Sequence, residues 1–256
     1  MSFREVSIQR AADAGIVIVI ASGRLPGVCS RIAMDMGLPG CRIIGLNGTQ
    51  VWESPFGRET FCSVFPEKTA RACWEICDRA KAPVTLYVPN GIYTNQRFQT
   101  EDATLRYQAH FARSNVRVVI APDAVERGLL ASPLKFLVKF PLGDAQEKAV
   151  RAELAALPGI GLTTSKKETL EIMQAGLSKA RALAHLAVSL GISPQEVMAF
   201  GDFDNDVEML AWAGLGIAMQ RRAGGKARGK ACHGDKRGIR RGACCPCLFG
   251  RGAWAV

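Results

Sequence analysis

No apolar run in this chain of 256 residues comes near the roughly 20 needed to cross a bilayer as a helix. The longest candidate is GIVIVIA at positions 15–21, so no membrane partner is expected. The opening stretch MSFREVSIQR carries charges where a secretory leader would be apolar, so secretion is not expected and a cytoplasmic location is. Histidine is scarce, at three residues. Acidic residues are scarce in one place: 221–256 hold a single acid, Asp235, against ten Lys or Arg. The formal net charge of +10 therefore belongs to that tail, because residues 1–220 retain 23 basic against 22 acidic side chains. Over the whole chain, 48% hydrophobic and 22% charged residues are ordinary for a soluble globular protein, and the length allows one large or two modest units with an ample core.

The tail RRAGGKARGKACHGDKRGIRRGACCPCLFGRGAWAV has neither helical nor strand periodicity and contains eight glycines. Such a stretch buries too little surface to offset the entropy of ordering it, so 221–256 is expected to be disordered. Ten cations could displace counterions from a polyanion. However, Phe249 and Trp254 are the only aromatics there and no nucleic-acid fold signature accompanies them, so a nucleic-acid partner is not expected. Cys232, His233, Cys244, Cys245 and Cys247 have the right chemistry for zinc, but their crowding does not match paired CxxC spacing. Cys29, Cys41, Cys62, Cys73 and Cys77 lie among apolar neighbours and read as reduced core thiols, while His110 and His185 fall on helical segments as ordinary surface or boundary residues.

What is present is an alternation of helix and buried strand. REVSIQRAADAG reads as an amphipathic helix stopped by Gly15, and IVIVIA as a strand buried on both faces. SGRLPG breaks that strand, VCSRIAMDMG resumes as helix, and RIIGLNGTQVWE has the strand, Asn-Gly turn and strand of a hairpin. Near the other end, LSKARALAHLAVSLG is a helix with an apolar stripe and VMAF a buried strand; DNDVEMLAWAG is again helical and LGIAM again a strand. This grammar predicts a parallel α/β sheet. Between them, 58–167 mixes alternating strands and helices and reads as an α+β insertion. TLEIMQAG is expected to lead back into the parallel core, giving a core of 1–57 and 168–220 around an inserted unit.

GDFDNDVEML, at 201–210, crowds Asp202, Asp204, Asp206 and Glu208 directly after a buried strand. An EF-hand would need Gly sixth and an acid twelfth from Asp202, where Val207 and Ala213 stand instead. A helix start accounts for Asp204 and Asp206 through the helix dipole, but less well for Asp202, which sits where open α/β sheets bind ligands. Other candidates also have plain readings. Ser22 could simply cap the next helix, Lys179 could be a solvated first-turn residue, and Asn47–Gly48 is a sufficient turn signal without a ligand.

Together these segments resemble the haloacid dehalogenase superfamily, in particular its Cof-like, type IIB sugar-phosphate phosphatases. GDFDND resembles the family's GDxxND motif, and VIASGR its strand ending in Thr/Ser-Gly-Arg. GLNGTQVW resembles its Asn-Gly hairpin, and LEIMQAGLSKARAL its Lys-bearing helix start. The resemblance runs from about residue 3 to 219 and implies a Rossmann-type core with a cap over 58–167. It implies a phosphoric monoester hydrolase that acts on small phosphorylated metabolites and uses Mg²⁺, as a monomer or dimer. By resemblance, Ser22 and Lys179 are catalytic. Ser22, Gly23, Arg24, Asn47, Gly48 and Asn205 bind phosphate or substrate. Asp202 coordinates the metal, with Asp206 supporting it. The resemblance also implies an aspartate nucleophile in a DxDGT motif on a first core strand. No DxD precedes Ser22, and Asp13 stands alone in a helix, so the core reads as incomplete and its activity as impaired. The abrupt tail does not resemble the family's closing helix and strand, and it reads as the product of a shifted frame in a truncated gene.

Overall fold

The structure, a computed structural model, describes residues 3–96, 100–140, 145–164 and 168–221, and in the tail 227–229, 232–235, 238–241 and 253–255. The chain divides into two compact units, residues 1–60 with 178–256, and residues 61–177. Among the described residues no helix is long and apolar enough to cross a membrane.

The first unit opens with α1 (Phe3–Asp13), β1 (Val17–Ala21), α2 (Pro26–Asp35), β2 (Arg42–Gly45), β3 (Gln50–Trp52) and β4 (Glu59–Cys62), the last running across the boundary. The second unit contains α3 (Glu67–Arg79), β5 (Val84–Val88), β6 (Gly91–Thr94), α4 (Glu101–Ala112), β7 (Arg117–Ile120), α5 (Ala124–Gly128), β8 (Lys135–Lys139), α6 (Ala145–Ala155), β9 (Ile160–Thr163) and β10 (Thr169–Gln174). The chain then returns to the first unit with α7 (Lys179–Ser189), β11 (Val197–Gly201), α8 (Val207–Trp212) and β12 (Leu215–Arg221), and four short tail strands follow: β13 (Ala227–Gly229), β14 (Cys232–Asp235), β15 (Gly238–Arg241) and β16 (Ala253–Ala255).

The first unit is built on a sheet of order β13-β12-β11-β16-β1-β2-β3-β4. From β12 to β2 the neighbours are parallel, as the apolar runs predict. β1 explains why such a run is continuous. Val19 and Ala21 pack with Leu183 of α7 and Met209 of α8, while Ile18 packs with Ala11 of α1 and Cys29 and Ala33 of α2. Helices thus cover both faces, and each residue of the strand meets an apolar neighbour. Pro26 opens α2, where its missing N–H leaves no intrahelical bond unmade.

The second unit is a six-stranded, mostly antiparallel sheet of order β7-β6-β5-β8-β10-β9. Its core joins Cys73, Trp74 and Cys77 of α3 to Leu86, Phe136, Val138 and Ile172 of the sheet. Here one expectation is corrected. β10, within TLEIMQAG, pairs antiparallel with β8 and β9, so this segment stays in the second unit and the chain leaves it only after residue 177. Thr169 to Met173 are all buried, and a central antiparallel strand covered on both faces reads like a parallel one.

The tail departs from its expectation too. β14 and β15 form a two-stranded antiparallel pair, and β16 lies parallel between β1 and β11, pairing Ala253–Ala255 with Val17–Val19 and with Val197–Ala199. Two neighbouring parallel strands present facing rows of N–H and C=O groups, and even a short segment satisfies them. The composition of the segment does not announce this.

Candidate functional site

The candidate residues lie at the carboxyl ends of β1, β2 and β11 and at the start of α7, all within the first unit. Parallel strands bring these ends to one edge of the sheet, which is where open α/β sheets bind ligands.

After β1 the chain turns through Ser22, Gly23 and Arg24. The Ser22 N–H donates to the Ile44 carbonyl at 2.8 Å, and the Ser22 carbonyl accepts from the Asn47 N–H at 2.9 Å. The Arg24 carbonyl accepts from the Leu46 N–H at 2.8 Å. This loop is therefore zipped to the turn after β2. The Ser22 hydroxyl accepts from the Arg24 N–H at 3.3 Å and from Arg24 Nη1 at 3.4 Å, which draws the guanidinium over the loop.

The turn after β2 is left-handed at Leu46 and Asn47, with φ of 49° and 59°, and at Gly48, with φ of 100°. Asn is among the residues that tolerate this region best. A Cβ on Gly48 would stand 2.4 Å from the Ser178 carbonyl oxygen, so glycine there lets the turn approach the start of α7. Asn47 is buried and its Oδ1 accepts from Asn205 Nδ2 at 2.9 Å. These two residues, expected to hold phosphate or substrate, are turned inward: Asn47 ties the second loop to the fourth, and Gly48 allows close packing.

Ser178 caps α7 by accepting from the Arg181 N–H at 3.3 Å. Lys179 follows and is buried, with its Nζ 2.6 Å from Asp206 Oδ1. The other oxygen of Asp206 accepts from the Asp202 and Phe203 N–H groups at 3.0 and 3.1 Å. The acids of GDFDND thus separate by role. Asp206 is buried and compensated by one cation and two amides, whereas Asp202 and Asp204 are exposed. Gly201 is required by this arrangement, because a Cβ there would meet the Asp206 Cβ at 2.4 Å.

One neighbour was not anticipated as part of the site. Cys29, on α2, is fully buried. Burial pushes its thiol up to about 11, against the lowering effects of Ser22, Arg24 and Lys179. Nothing in the residue pattern marks this cysteine apart from the other core thiols.

Both Asp206 oxygens are engaged, one by Lys179 and the other by two backbone amides. Among the described residues no group of three or more His, Cys, Asp or Glu could hold a metal ion. Asp202, Asp204 and Glu208 are exposed carboxylates, and Mg²⁺ usually takes one or two carboxylates together with substrate phosphate oxygens and waters. Among the described residues the side chains do not by themselves assemble a magnesium site. The tail positions considered for zinc include Cys244, Cys245 and Cys247, which lie outside the described residues, as does most of the basic tail.

Residues 3–224 match the family model described as haloacid dehalogenase-like hydrolase. The chain belongs to this family. This haloacid dehalogenase-like chain is 26% identical over 213 residues to the 5-amino-6-(5-phospho-D-ribitylamino)uracil phosphatase YcsE of Bacillus subtilis, covering 83% of this chain and 74% of that protein. It is 27% identical over 216 residues to the HMP-PP phosphatase of Serratia proteamaculans, again covering 83% and 74%. A haloacid dehalogenase-like hydrolase of Bacteroides thetaiotaomicron shares its fold with a TM-score of 0.70 and 23% identity, over 84% of this chain and 79% of that one.

Proposed function

We propose that this haloacid dehalogenase-like chain binds the phosphoryl group of a small phosphorylated metabolite, of the sugar-phosphate class, in the manner of a phosphoric monoester hydrolase. Ser22, the Gly23 N–H, Arg24, Lys179 and Asn205 supply the donors. The observation that carries this reading is the buried Lys179–Asp206 pair at the meeting point of four loops. An ammonium has three donors, and Asp206 takes one of them, so Lys179 retains donors for an anion while its charge is held in place. Two phosphatases of phosphorylated small molecules among its relatives support the substrate class.

Positioning and charge neutralisation are most of what phosphoryl transfer asks of a protein, apart from the attacking group. Ser22 and Gly23 would hydrogen-bond the equatorial oxygens. Lys179 and Arg24 would offset their charge, and Asn205, held by Asn47, would orient the group. These 256 residues contain no DxDGT sequence, so we further propose that turnover by this chain is impaired and that binding outlasts catalysis. Titrating inorganic phosphate into the protein by calorimetry, followed by assay of a generic aryl phosphate with magnesium, tests both parts. The expected result is millimolar phosphate binding that Lys179→Met weakens at least tenfold, with turnover near background. Phosphate binding that is absent, or indifferent to Lys179→Met, overturns the reading.

A further inference from the structure

We infer that Asn47 is a positioning residue for Asn205, setting which end of that side-chain amide meets the phosphoryl group; this rests on the phosphate-binding reading above. Asn47 is buried in the turn after β2, in the left-handed region with φ of 59°. Its main-chain N–H donates to the Ser22 carbonyl at 2.9 Å, which pins the residue to the loop after β1. Its side-chain Oδ1 accepts from Asn205 Nδ2 at 2.9 Å, in the loop after β11. A Cβ on Gly23 would stand 3.0 Å from that same Oδ1, so the Asn47 carboxamide lies against Gly23 and has little room to turn.

Asn205 is half-buried, and the last torsion of an asparagine is broad, so its amide has no strong preference of its own. One end of that amide is an acceptor oxygen and the other an NH₂ with two hydrogens. Only the NH₂ end suits an anion. Asn47 decides between them by taking one Nδ2 hydrogen. The flipped form would set the Asn205 oxygen against Asn47 Oδ1, two acceptors with no hydrogen between them. With one hydrogen held, the direction of the second is fixed before a ligand arrives, and the ordering of this side chain is not charged against binding. Asn47 thus grips two loops at once, Ser22 through its main chain and Asn205 through its side chain, without itself touching the ligand.

The test is a double-mutant cycle read by inorganic phosphate affinity, with the Asn205 side-chain amide followed by NMR. Asn47→Gly removes the carboxamide and tolerates the left-handed turn. It is expected to weaken phosphate about five- to tenfold, and to cost nothing further in the Asn205→Ala background. In the Ser22→Ala background it is expected to keep its full cost, because Ser22 is held by the main chain of residue 47, which glycine retains. In the unaltered protein the two Asn205 amide protons are expected at separate positions, and phosphate is expected to move one and leave the one held by Asn47 in place. That measurement needs no variant of Asn47 and decides the matter if the glycine variant does not fold; two protons that move together overturn the inference. A loss that persists without the Asn205 side chain, or that vanishes without the Ser22 hydroxyl, overturns it too, since a residue that only shapes the turn would give the first. Lys179→Met that weakens phosphate while Asn47→Gly or Asn205→Ala does not overturns the inference alone. Phosphate binding that is absent, or indifferent to Lys179→Met, overturns the phosphate-binding reading and the inference with it.

Discussion

Replacing Asp206 with alanine leaves the Lys179 ammonium buried without its partner and orphans the Asp202 and Phe203 N–H groups. Breaking a buried ion pair from one side typically costs about 3–5 kcal/mol, because the desolvation of the surviving charge is no longer offset. The two amides lie in a part-buried turn and can recover bonds to water, so their loss adds about 1 kcal/mol rather than two full penalties. The expected total is about 4–6 kcal/mol, a large share of the 5–15 kcal/mol typical of a whole domain. Asp206→Asn keeps an acceptor for the amides and loses the charge, so it is expected to fall between the two. Lys179→Met combined with Asp206→Leu removes both charges and is expected to recover part of the loss. Urea denaturation monitored on the first unit measures all four proteins. An Asp206→Ala variant within about 1 kcal/mol of the unaltered protein would refute the view that this pair is buried and mutually compensated.

Gly48→Ala places a Cβ against the Ser178 carbonyl in a left-handed turn and is expected to cost at least about 2 kcal/mol, seen as a lowered Tm; an unchanged Tm shows that the turn does not approach α7. Cys29 is raised to about 11, and Cys41, Cys73 and Cys77 to about 12, in each case chiefly by burial, from an ordinary value of 9.0. The unfolded chain therefore loses these protons first. Stability is expected to fall as pH rises above about 9, by up to about 1.4 kcal/mol per pH unit per thiol, and a flat urea midpoint from about pH 8 to about pH 11 in reductant would contradict this. In the second unit Lys135 and Glu171 form a buried pair at 3.3 Å, with the Lys135 ammonium 4.8 Å from the Tyr87 ring centre. Glu171→Ala is expected to destabilise that unit by about 3–5 kcal/mol while leaving inorganic phosphate affinity unchanged; a stability loss under about 1 kcal/mol counts against it. Phosphate affinity is also expected to be the same with magnesium and with a chelator, since among the described residues no group of three or more possible ligands is assembled; a tenfold gain with magnesium would show that the ion finds a site here.

The parallel core was legible because its strands are covered on both faces, and uninterrupted apolar runs are what that covering demands. The loops were legible because they start where those runs stop: Ser22 after β1, Asp202 after β11, Lys179 at a capped helix start. β10 was misread for the same reason that β1 was read correctly, since burial on both faces does not reveal which way a neighbouring strand runs. The direction in which a polar side chain points was not legible. Asn47 and Asp206 carry groups that suit phosphate or metal, yet backbone geometry turns both inward, and only the contacts with Asn205 and Lys179 show it.

The balance of donors and acceptors at this edge of the sheet favours an anion. Ser22, Gly23, Arg24, Lys179 and Asn205 all offer hydrogens, while the one buried carboxylate, Asp206, is consumed by Lys179 and by backbone amides. The acids that made the sequence look like a cation site therefore do different work. Asp206 fixes the lysine, while Asp204 and Asp202 face solvent. Anion binding and chemistry are separable in such a frame. The loops are held by one another and by the sheet, through Asn47, Asn205 and the close approaches at Gly48 and Gly201, and none of these contacts involves an attacking group. The proposed binding of phosphate therefore does not depend on an attacking group being present.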